Sequence, residues 1–206
     1  MEIKSKNFCI VLSSPSGAGK TSISRKLLLI DKFISLSISC TTRTKRKGEK
    51  NKKDYIFVNK LTFENYINKN EFIEHATVFG NKYGTLRKEV EKSFKKKNDV
   101  LFDIDWQGYQ QLKQSGLEVV GIFILPPSKK ELIKRLKNRG RDTPKEMEKR
   151  MNLIQDEISH FPEYDYVVIN KDLKSCVNQI HNIIKSERLK RSRLNYLTEF
   201  VNKFRN

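Results

Sequence analysis

Short, unbroken apolar runs recur along the chain, and segments with helical spacing lie between them. Four runs have the length of strands: residues 8–12, 100–102, 119–125 and 166–169. Because a strand covered on both faces needs apolar residues at nearly every position, these runs predict buried strands of a parallel sheet. The apolar residues between them have helical spacing: Ile23, Leu27, Leu28 and Ile30; Leu132, Ile133 and Leu136; Leu173, Val177, Ile180 and Ile184. Strands alternating with helices predict an α/β fold built from βαβ units.

The segment from Cys40 to about Arg87 interrupts this alternation. It is polar and basic at first and then rich in aromatic residues: Tyr55, Phe57, Phe63, Tyr66, Phe72, Phe79 and Tyr83. A connection of this length is too long for a plain crossover between two parallel strands. We therefore predict an inserted lobe with a small sheet of its own.

The chain ends in a basic segment, residues 185–206. Its apolar residues keep a helical spacing: Leu189, Leu194, Leu197, Phe200 and Val201. This pattern predicts a solvated terminal helix rather than a binding arm.

Composition and charge narrow the class of protein. The 206 residues predict one compact domain, and 37% apolar residues exclude wholesale disorder. The 42 Lys and Arg against 24 Asp and Glu give a net charge of +18, which suits nucleic acid or a phosphorylated small molecule. Lysines spread over a solvated surface produce the same excess, and no RNA- or DNA-binding module is recognisable. We expect no nucleic-acid partner.

The sequence also bears on location. No apolar run approaches the ~20 residues that a membrane span needs, and the first six residues lack the apolar stretch of a secretory signal. Cys9, Cys40 and Cys176 are scattered, which argues against a disulfide or zinc framework and fits a reducing cytosol. We expect a cytoplasmic protein with no membrane partner. The sequence leaves the oligomeric state open, a homo-oligomer included.

The clearest chemical motif lies directly after the first predicted strand and opens the first predicted helix. It matches the pattern G-x-x-x-x-G-K-[ST], with a serine in place of the first glycine. Glycines let successive backbone N–H groups point at a phosphate, and the helix N-terminus favours the anion. We predict that this loop binds a nucleoside triphosphate, interpreted below as ATP, through Ser14, Pro15, Ser16, Gly17, Ala18, Gly19, Lys20 and Thr21.

Two parts of this neighbourhood predict a role for Mg²⁺. Lys20 would reach the β- and γ-phosphates, and the Thr21 hydroxyl would bind the metal. The apolar strand at 100–102 ends in Asp103 and Asp105, where an acid could approach the metal through water. Two acids at a strand end can simply be exposed, but beside a phosphate loop we interpret Asp103 as the water-mediated ligand.

Several further motifs in order resemble those of guanylate kinases, and the resemblance runs from about residue 9 to residue 173. The segments are 37–46 (SISCTTRTKR), 48–49 (GE), 54–58 (DYIFV), 71–76 (EFIEHA), 80–85 (GNKYGT) and 103–108 (DIDWQG). In the loop after Arg43, Lys45 and Lys47 stand where the family often has prolines, and Lys52 where a glycine is common. Loss of proline raises the entropy cost of ordering this loop, so we expect these departures to affect the affinity for the substrate rather than the activity.

The resemblance implies roles for residues of the inserted lobe. The GMP phosphate would be held by Arg43, Arg46, Tyr55 and Tyr83, and the guanine base by Ser39, Glu74, Thr85 and Asp105. Arginine forks suit a phosphate dianion because they donate two parallel hydrogen bonds. A carboxylate at Glu74 can accept from both N1–H and the exocyclic amino group of guanine, whereas adenine has no matching donors on that edge.

Segments 134–140 and 148–150 resemble the lid that covers ATP in this family. The resemblance implies that Arg135, Arg139 and Arg150, together with Lys20, act in catalysis by neutralising charge on the transferring phosphoryl group. The alternative is that these arginines decorate a solvated helix face. By the same resemblance Asn170, just after the last predicted strand, would contact adenine.

Together these features predict an Mg²⁺-dependent kinase that transfers the γ-phosphoryl group of ATP to GMP, or to dGMP. The expected fold is an α/β phosphate-loop core with a parallel sheet (about 1–39, 88–138 and 160–206), a GMP-binding lobe (about 40–87) and a short lid (about 139–159). Two alternatives come from other classes: an inactive guanylate-kinase-like binding module, and a basic NTPase stimulated by nucleic acid. A kinase for another nucleotide or a sugar phosphate is the nearer alternative.

Overall fold

The computed structural model describes residues 4–138 and 144–205. Its strands are β1 Lys4–Ser5, β2 Cys9–Ser13, β3 Ile34–Leu36, β4 Cys40–Thr41, β5 Ile56–Phe57, β6 Phe72–Val78, β7 Asn81–Leu86, β8 Asp99–Asp103, β9 Val119–Leu125, β10 Tyr166–Ile169 and β11 Leu194–Asn195. Its α-helices are α1 Lys20–Ile30, α2 Lys60–Asn68, α3 Arg87–Lys95, α4 Trp106–Gln114, α5 Lys129–Asn138, α6 Pro144–Ser159, α7 Leu173–Arg188 and α8 Leu197–Asn202. Two 3₁₀ turns span Phe161–Glu163 and Arg191–Arg193.

A parallel sheet with the strand order β10-β9-β2-β8-β3 forms the centre of the molecule. The four apolar runs that predicted strands form β2, β8, β9 and β10, with β2 shifted by one residue from the expected 8–12. The predicted α/β fold with a parallel sheet and flanking helices is therefore confirmed.

Both faces of this sheet are buried, which explains why its strands are apolar at consecutive positions. Ile10 and Leu12 of β2 pack with α1 and α7 on one face. Cys9 and Val11 pack on the other face with Tyr109 of α4 and with residues of β8. Burying one such aliphatic side chain stabilises the fold by about 1.5–3 kcal/mol, so the sheet is a rigid base for the loops at its edge.

A second, four-stranded sheet occupies the segment in which the sequence predicts an inserted lobe. Its strand order is β5-β4-β7-β6, with β4–β5 parallel and the other pairs antiparallel. Helix α2 covers it through a small apolar cluster that contains Phe63, Phe72 and Leu86. The exact limits of the lobe and of the lid stay predictions.

The prediction of a continuous solvated helix over residues 185–206 is wrong. Helix α7 ends at Arg188, and the chain then forms a 3₁₀ turn, strand β11 and the short helix α8. The break is set by Arg193, which is 4% exposed, pairs with the buried Glu187 and lies over the Phe8 ring. Strand β11 then pairs antiparallel with β1, so this segment ties the two ends of the described chain together.

In the described residues, no helix has both the length and the apolar character needed to cross a bilayer.

Candidate active site

The predicted phosphate loop connects β2, which ends at Ser13, to α1, which begins at Lys20. Gly17 and Gly19 have φ values of 93° and 102°, a left-handed conformation that side chains rarely adopt. Ser14 is absent from the residues with positive φ, so its backbone does not need the glycine of the general pattern. The loop thus has, at two glycines, the left-handed backbone that a curled phosphate-binding loop requires.

Neighbouring elements close around this loop. The Asn170 amide donates to the Ala18 carbonyl at 2.7 Å, and a Cβ at Gly19 would lie 2.6 Å from the same amide nitrogen. A Cβ at Gly17 would lie 2.9 Å from Leu136 of α5. Both glycines are therefore favoured by conformation, and a larger residue at either position would displace a neighbouring side chain. Asn170, which we predicted beside adenine, supports the loop backbone here.

Charged groups meet at the open side of the loop. The Lys20 ammonium donates to the Ile104 carbonyl at 2.8 Å and lies 3.0 Å from Asp103 Oδ1. Arg135 of α5 donates to the carbonyl of Asn170 at 3.2 Å and to Glu131 at 2.9 Å. The structure thus brings the predicted Lys20, Asp103, Arg135 and Asn170 to the phosphate loop.

A carboxylate of α6 also reaches the loop. The backbone N–H of Ser16 donates to Glu157 Oε2 at 2.9 Å. Ser13, Ser14, Asp105, Trp106 and Glu157 line a small cavity at the same place. Glu157 was not predicted, and its contact shows that the Ser16 N–H can donate to an anion.

A second group of predicted residues gathers on the four-stranded sheet. The Arg43 guanidinium binds both oxygens of Glu49, at 2.8 and 3.1 Å, and lies 5.3 Å from the centre of the Tyr55 ring. The Tyr55 and Tyr83 rings are 6.0 Å apart. Burial favours a higher pKa for Glu49, but the hydrogen bonds and charge of Arg43 outweigh it and lower this pKa. Burial and the charge of Asp103 raise the pKa of Tyr55 to about 12. Arg46 lies in the same loop, and its backbone N–H donates to Glu49 Oε2 at 2.8 Å.

The predicted guanine-binding residues form a third, buried group. Glu74 lies opposite Thr85 across the β6–β7 pair, and the Thr85 hydroxyl is 3.3 Å from that of Ser39. Glu74 is only 3% exposed, and its Oε1 has no hydrogen-bond partner among the described residues. Burial, with a further contribution from Asp105, raises the pKa of Glu74 to about 7, against the effects of Thr85 and Lys20.

Asp105 is fixed in place as the N-cap of α4. Its Oδ1 accepts from the Gly108 N–H at 3.1 Å, and its Oδ2 accepts from the Gln107 amide at 3.1 Å. A capping carboxylate is rigid because the helix N–H groups hold it. The predicted Asp105 therefore stands beside Glu74 as part of a defined helix start.

A sequence model of guanylate kinases matches residues 6–187 of the chain. The chain belongs to the guanylate kinase family. The guanylate kinase of Novosphingobium aromaticivorans is 50% identical to it over 197 residues, which are 95% of this chain and 89% of that protein. The guanylate kinase of Paramagnetospirillum magneticum is 48% identical over 98% of this chain and 95% of its own. A crystal structure of guanylate kinase from Anaplasma phagocytophilum superposes with a TM-score of 0.82, 40% identity, and coverage of 97% and 96% of the two chains.

For two of the predicted lid arginines, the structure does not describe the side chain. Arg139 lies outside the described residues, and Arg150 lies in α6 with a side chain that is also outside them. The guanylate kinase motifs remain the basis for the roles predicted for these two residues.

Sequence reasoning gave no role to three residues that make contacts in or beside the candidate site: Glu49, which lies in one of the family motifs, Gln111 and Glu157. Glu49 had a local signal, because it follows Arg43 and Arg46 closely in a basic loop. Gln111 and Glu157 had none, since each makes its contact with a residue at least 36 positions away.

Proposed function

We propose that the phosphate loop binds ATP, that the four-stranded sheet and α4 bind GMP, and that the phosphoryl group passes between them. As a member of the guanylate kinase family, the chain is a nucleoside monophosphate kinase that forms ADP and GDP from ATP and GMP. The new part of the proposal is the assignment of the individual residues. Its main support is Glu74, a buried carboxylate with one oxygen that has no partner among the described residues.

The ATP half of the proposal is supported by the loop geometry. The N–H groups of residues 14–21 and the N-terminus of α1 would cradle the phosphates, and Lys20 would exchange its bond to Ile104 for phosphate oxygens. Thr21 and, through water, Asp103 would hold Mg²⁺, and their oxygen atoms are the donors that this ion prefers. When bound there, Mg²⁺ would offset the negative charge of the phosphates.

The GMP half follows from the chemistry of the two lobe groups. Arg43, Arg46, Tyr55 and Tyr83 would hold the phosphate dianion by charge-assisted hydrogen bonds. Glu74 would accept from two adjacent donors of guanine, with Ser39, Thr85 and Asp105 around the base. Adenine would leave the buried carboxylate without donors, which penalises AMP.

The remaining arginines act on the group being transferred. Arg135 already lies at the phosphate loop through Asn170. With Arg139 and Arg150 it would neutralise charge on the phosphoryl group, a reaction in which positioning and electrostatics supply nearly all of the catalysis. The GMP phosphate oxygen is itself the nucleophile, so no general base is needed.

ADP production from Mg-ATP tests the proposal, with GMP, AMP, UMP or no acceptor and with a control to which RNA is added. We expect turnover with GMP, or dGMP, and little with the other acceptors. Lys20→Met should abolish this turnover, whereas Lys26→Met, an exposed lysine on the same helix, should leave it unchanged.

The alternatives give different results in the same assay. A binding module would produce no ADP with any acceptor. A nucleic-acid-stimulated NTPase would respond to RNA and ignore GMP, and a kinase for another substrate would prefer a different acceptor. Any of these three results would overturn the proposal.

A further inference from the structure

Strand β6, which carries Glu74, lies at the edge of the four-stranded sheet. Within residues 4–138 and 144–205, this strand pairs with another strand, β7, on one side only. On the other side, the Gln111 side chain of α4 donates to the His75 carbonyl at 2.7 Å and accepts from the His75 N–H at 3.0 Å. One amide thus satisfies both outward backbone groups of the residue next to Glu74, as another strand would.

The strand is irregular at the position that matters. The register between β6 and β7 shifts between Phe72 and Glu74. A bulge of this kind turns a side chain out of the normal alternation. The direction of the Glu74 carboxylate therefore depends on a local distortion, which needs support from a neighbouring element.

Helix α4 supplies this support and leaves space for the carboxylate. A Cβ built at Gly108 would lie 2.7 Å from Glu74 Oε2 and 3.0 Å from Ile104 Cδ1. Gly108 does not have a positive φ, so its backbone conformation is open to any residue. An alanine at this position would displace the carboxylate, although the helix itself would accept it.

We propose that Gly108 and Gln111 are positioning residues for guanine recognition. Gln111 holds the edge strand at a fixed distance from α4, and Gly108 provides the space that the Glu74 carboxylate occupies. The inference rests on the proposed function and adds the means by which Glu74 is aimed at the N1–H and amino group of the base.

Gly108→Ala and Gln111→Ala test the inference, with Gln114→Ala as a matched control because Gln114 is exposed at the end of the same helix. Steady-state rates are measured for GMP and for inosine monophosphate, which has the N1–H but lacks the amino group. The KM for ATP and the thermal midpoint are measured beside them, because loss of fold would change all of these values together.

We expect Gly108→Ala to raise the KM for GMP about 10-fold or more, since small misplacements in a site can cost up to about 100-fold. The preference for GMP over inosine monophosphate should shrink, because the misplaced carboxylate loses its second acceptor bond. The KM for ATP should stay within about 2-fold, and the thermal midpoint should change little, since the helix preference of alanine offsets the cost of moving the carboxylate. Gln111→Ala should shift the same values in the same direction, and Gln114→Ala should resemble the wild type.

An unchanged preference between the two nucleotides in both variants would overturn the inference. So would a parallel loss for GMP and ATP, which would indicate a structural role only. A wild-type protein without GMP-dependent turnover would instead overturn the proposed function.

Discussion

Replacing Glu74 by glutamine should reduce the loss of stability that the protein undergoes between acidic and alkaline pH. The comparison is with the wild type, whose free energy of unfolding should fall more over the same range. The side chain keeps its shape and loses the charge that burial penalises. In the wild type, burial raises the pKa of Glu74 from 4.5 to about 7. The folded protein therefore binds more protons than the unfolded chain between these values, so its free energy of unfolding falls as pH rises through this window.

The size of the effect follows from the pKa change. At about 1.4 kcal/mol per unit, a shift to about 7 corresponds to roughly 3 kcal/mol in full, and to about 2 to 3 kcal/mol between pH 5 and pH 8. Glutamine does not titrate, so the variant lacks this loss. The amide group of glutamine also changes the free energy of unfolding, but by the same amount at both pH values. This contribution therefore cancels when the difference between wild type and variant at pH 5 is subtracted from that at pH 8.

Urea unfolding of the wild type and Glu74→Gln at pH 5 and pH 8 measures this difference. Glu71→Gln serves as a control, because it makes the same chemical change at a less buried glutamate three residues earlier. A wild-type-minus-variant difference that is the same at both pH values would refute the reasoning. It would mean that the carboxyl group of Glu74 is solvated or paired in the free protein.

Three further predictions concern residues outside the guanine-binding group. Arg188→Leu should lower the free energy of unfolding by about 3 kcal/mol, because it leaves the buried Asp31 and Asp99 without their cation. Each carboxylate lies 2.8 Å from the guanidinium. Urea unfolding measures the loss, and a value below about 1 kcal/mol would contradict the prediction. Lys52→Gly should raise stability by up to about 1 kcal/mol, since Lys52 has a φ of 60° that glycine adopts without strain, and an equal or lower thermal midpoint would contradict this. Gly19→Ala, at a φ of 102°, should raise the KM for ATP about 10-fold or more and change the KM for GMP far less, as kinetics with each substrate varied will show.

Local patterns were sufficient for the core of the fold and for the phosphate loop. Strands β2, β8, β9 and β10 were predicted because burial on both faces makes each of them a continuous apolar run. The loop was predicted because Gly17 and Gly19 are required by φ values that few other residues adopt. In both cases the physical constraint acts on neighbouring residues, so it is written in a short stretch of sequence.

The errors and omissions arise where the constraint acts over a distance. The segment after residue 185 keeps helical spacing, but the burial of Arg193 against Glu187 and Phe8 breaks the helix. Gln111 looks like any polar residue on a helix until β6 is brought alongside it. Spacing along the chain carries no information about such contacts, and the family motifs supplied the guanine-binding residues instead.

One physical term links the stability of the free protein to its selectivity. The desolvation that raises the pKa of Glu74 destabilises the empty site, and guanine relieves this penalty by donating to the carboxylate. A base without two adjacent donors leaves the penalty in place, so selectivity and instability have the same origin. Glu74→Gln should therefore gain stability at alkaline pH and lose selectivity together. Gly108→Ala should lose selectivity too, and if its methyl group pushes the carboxylate toward water, the pH dependence of unfolding should weaken with it.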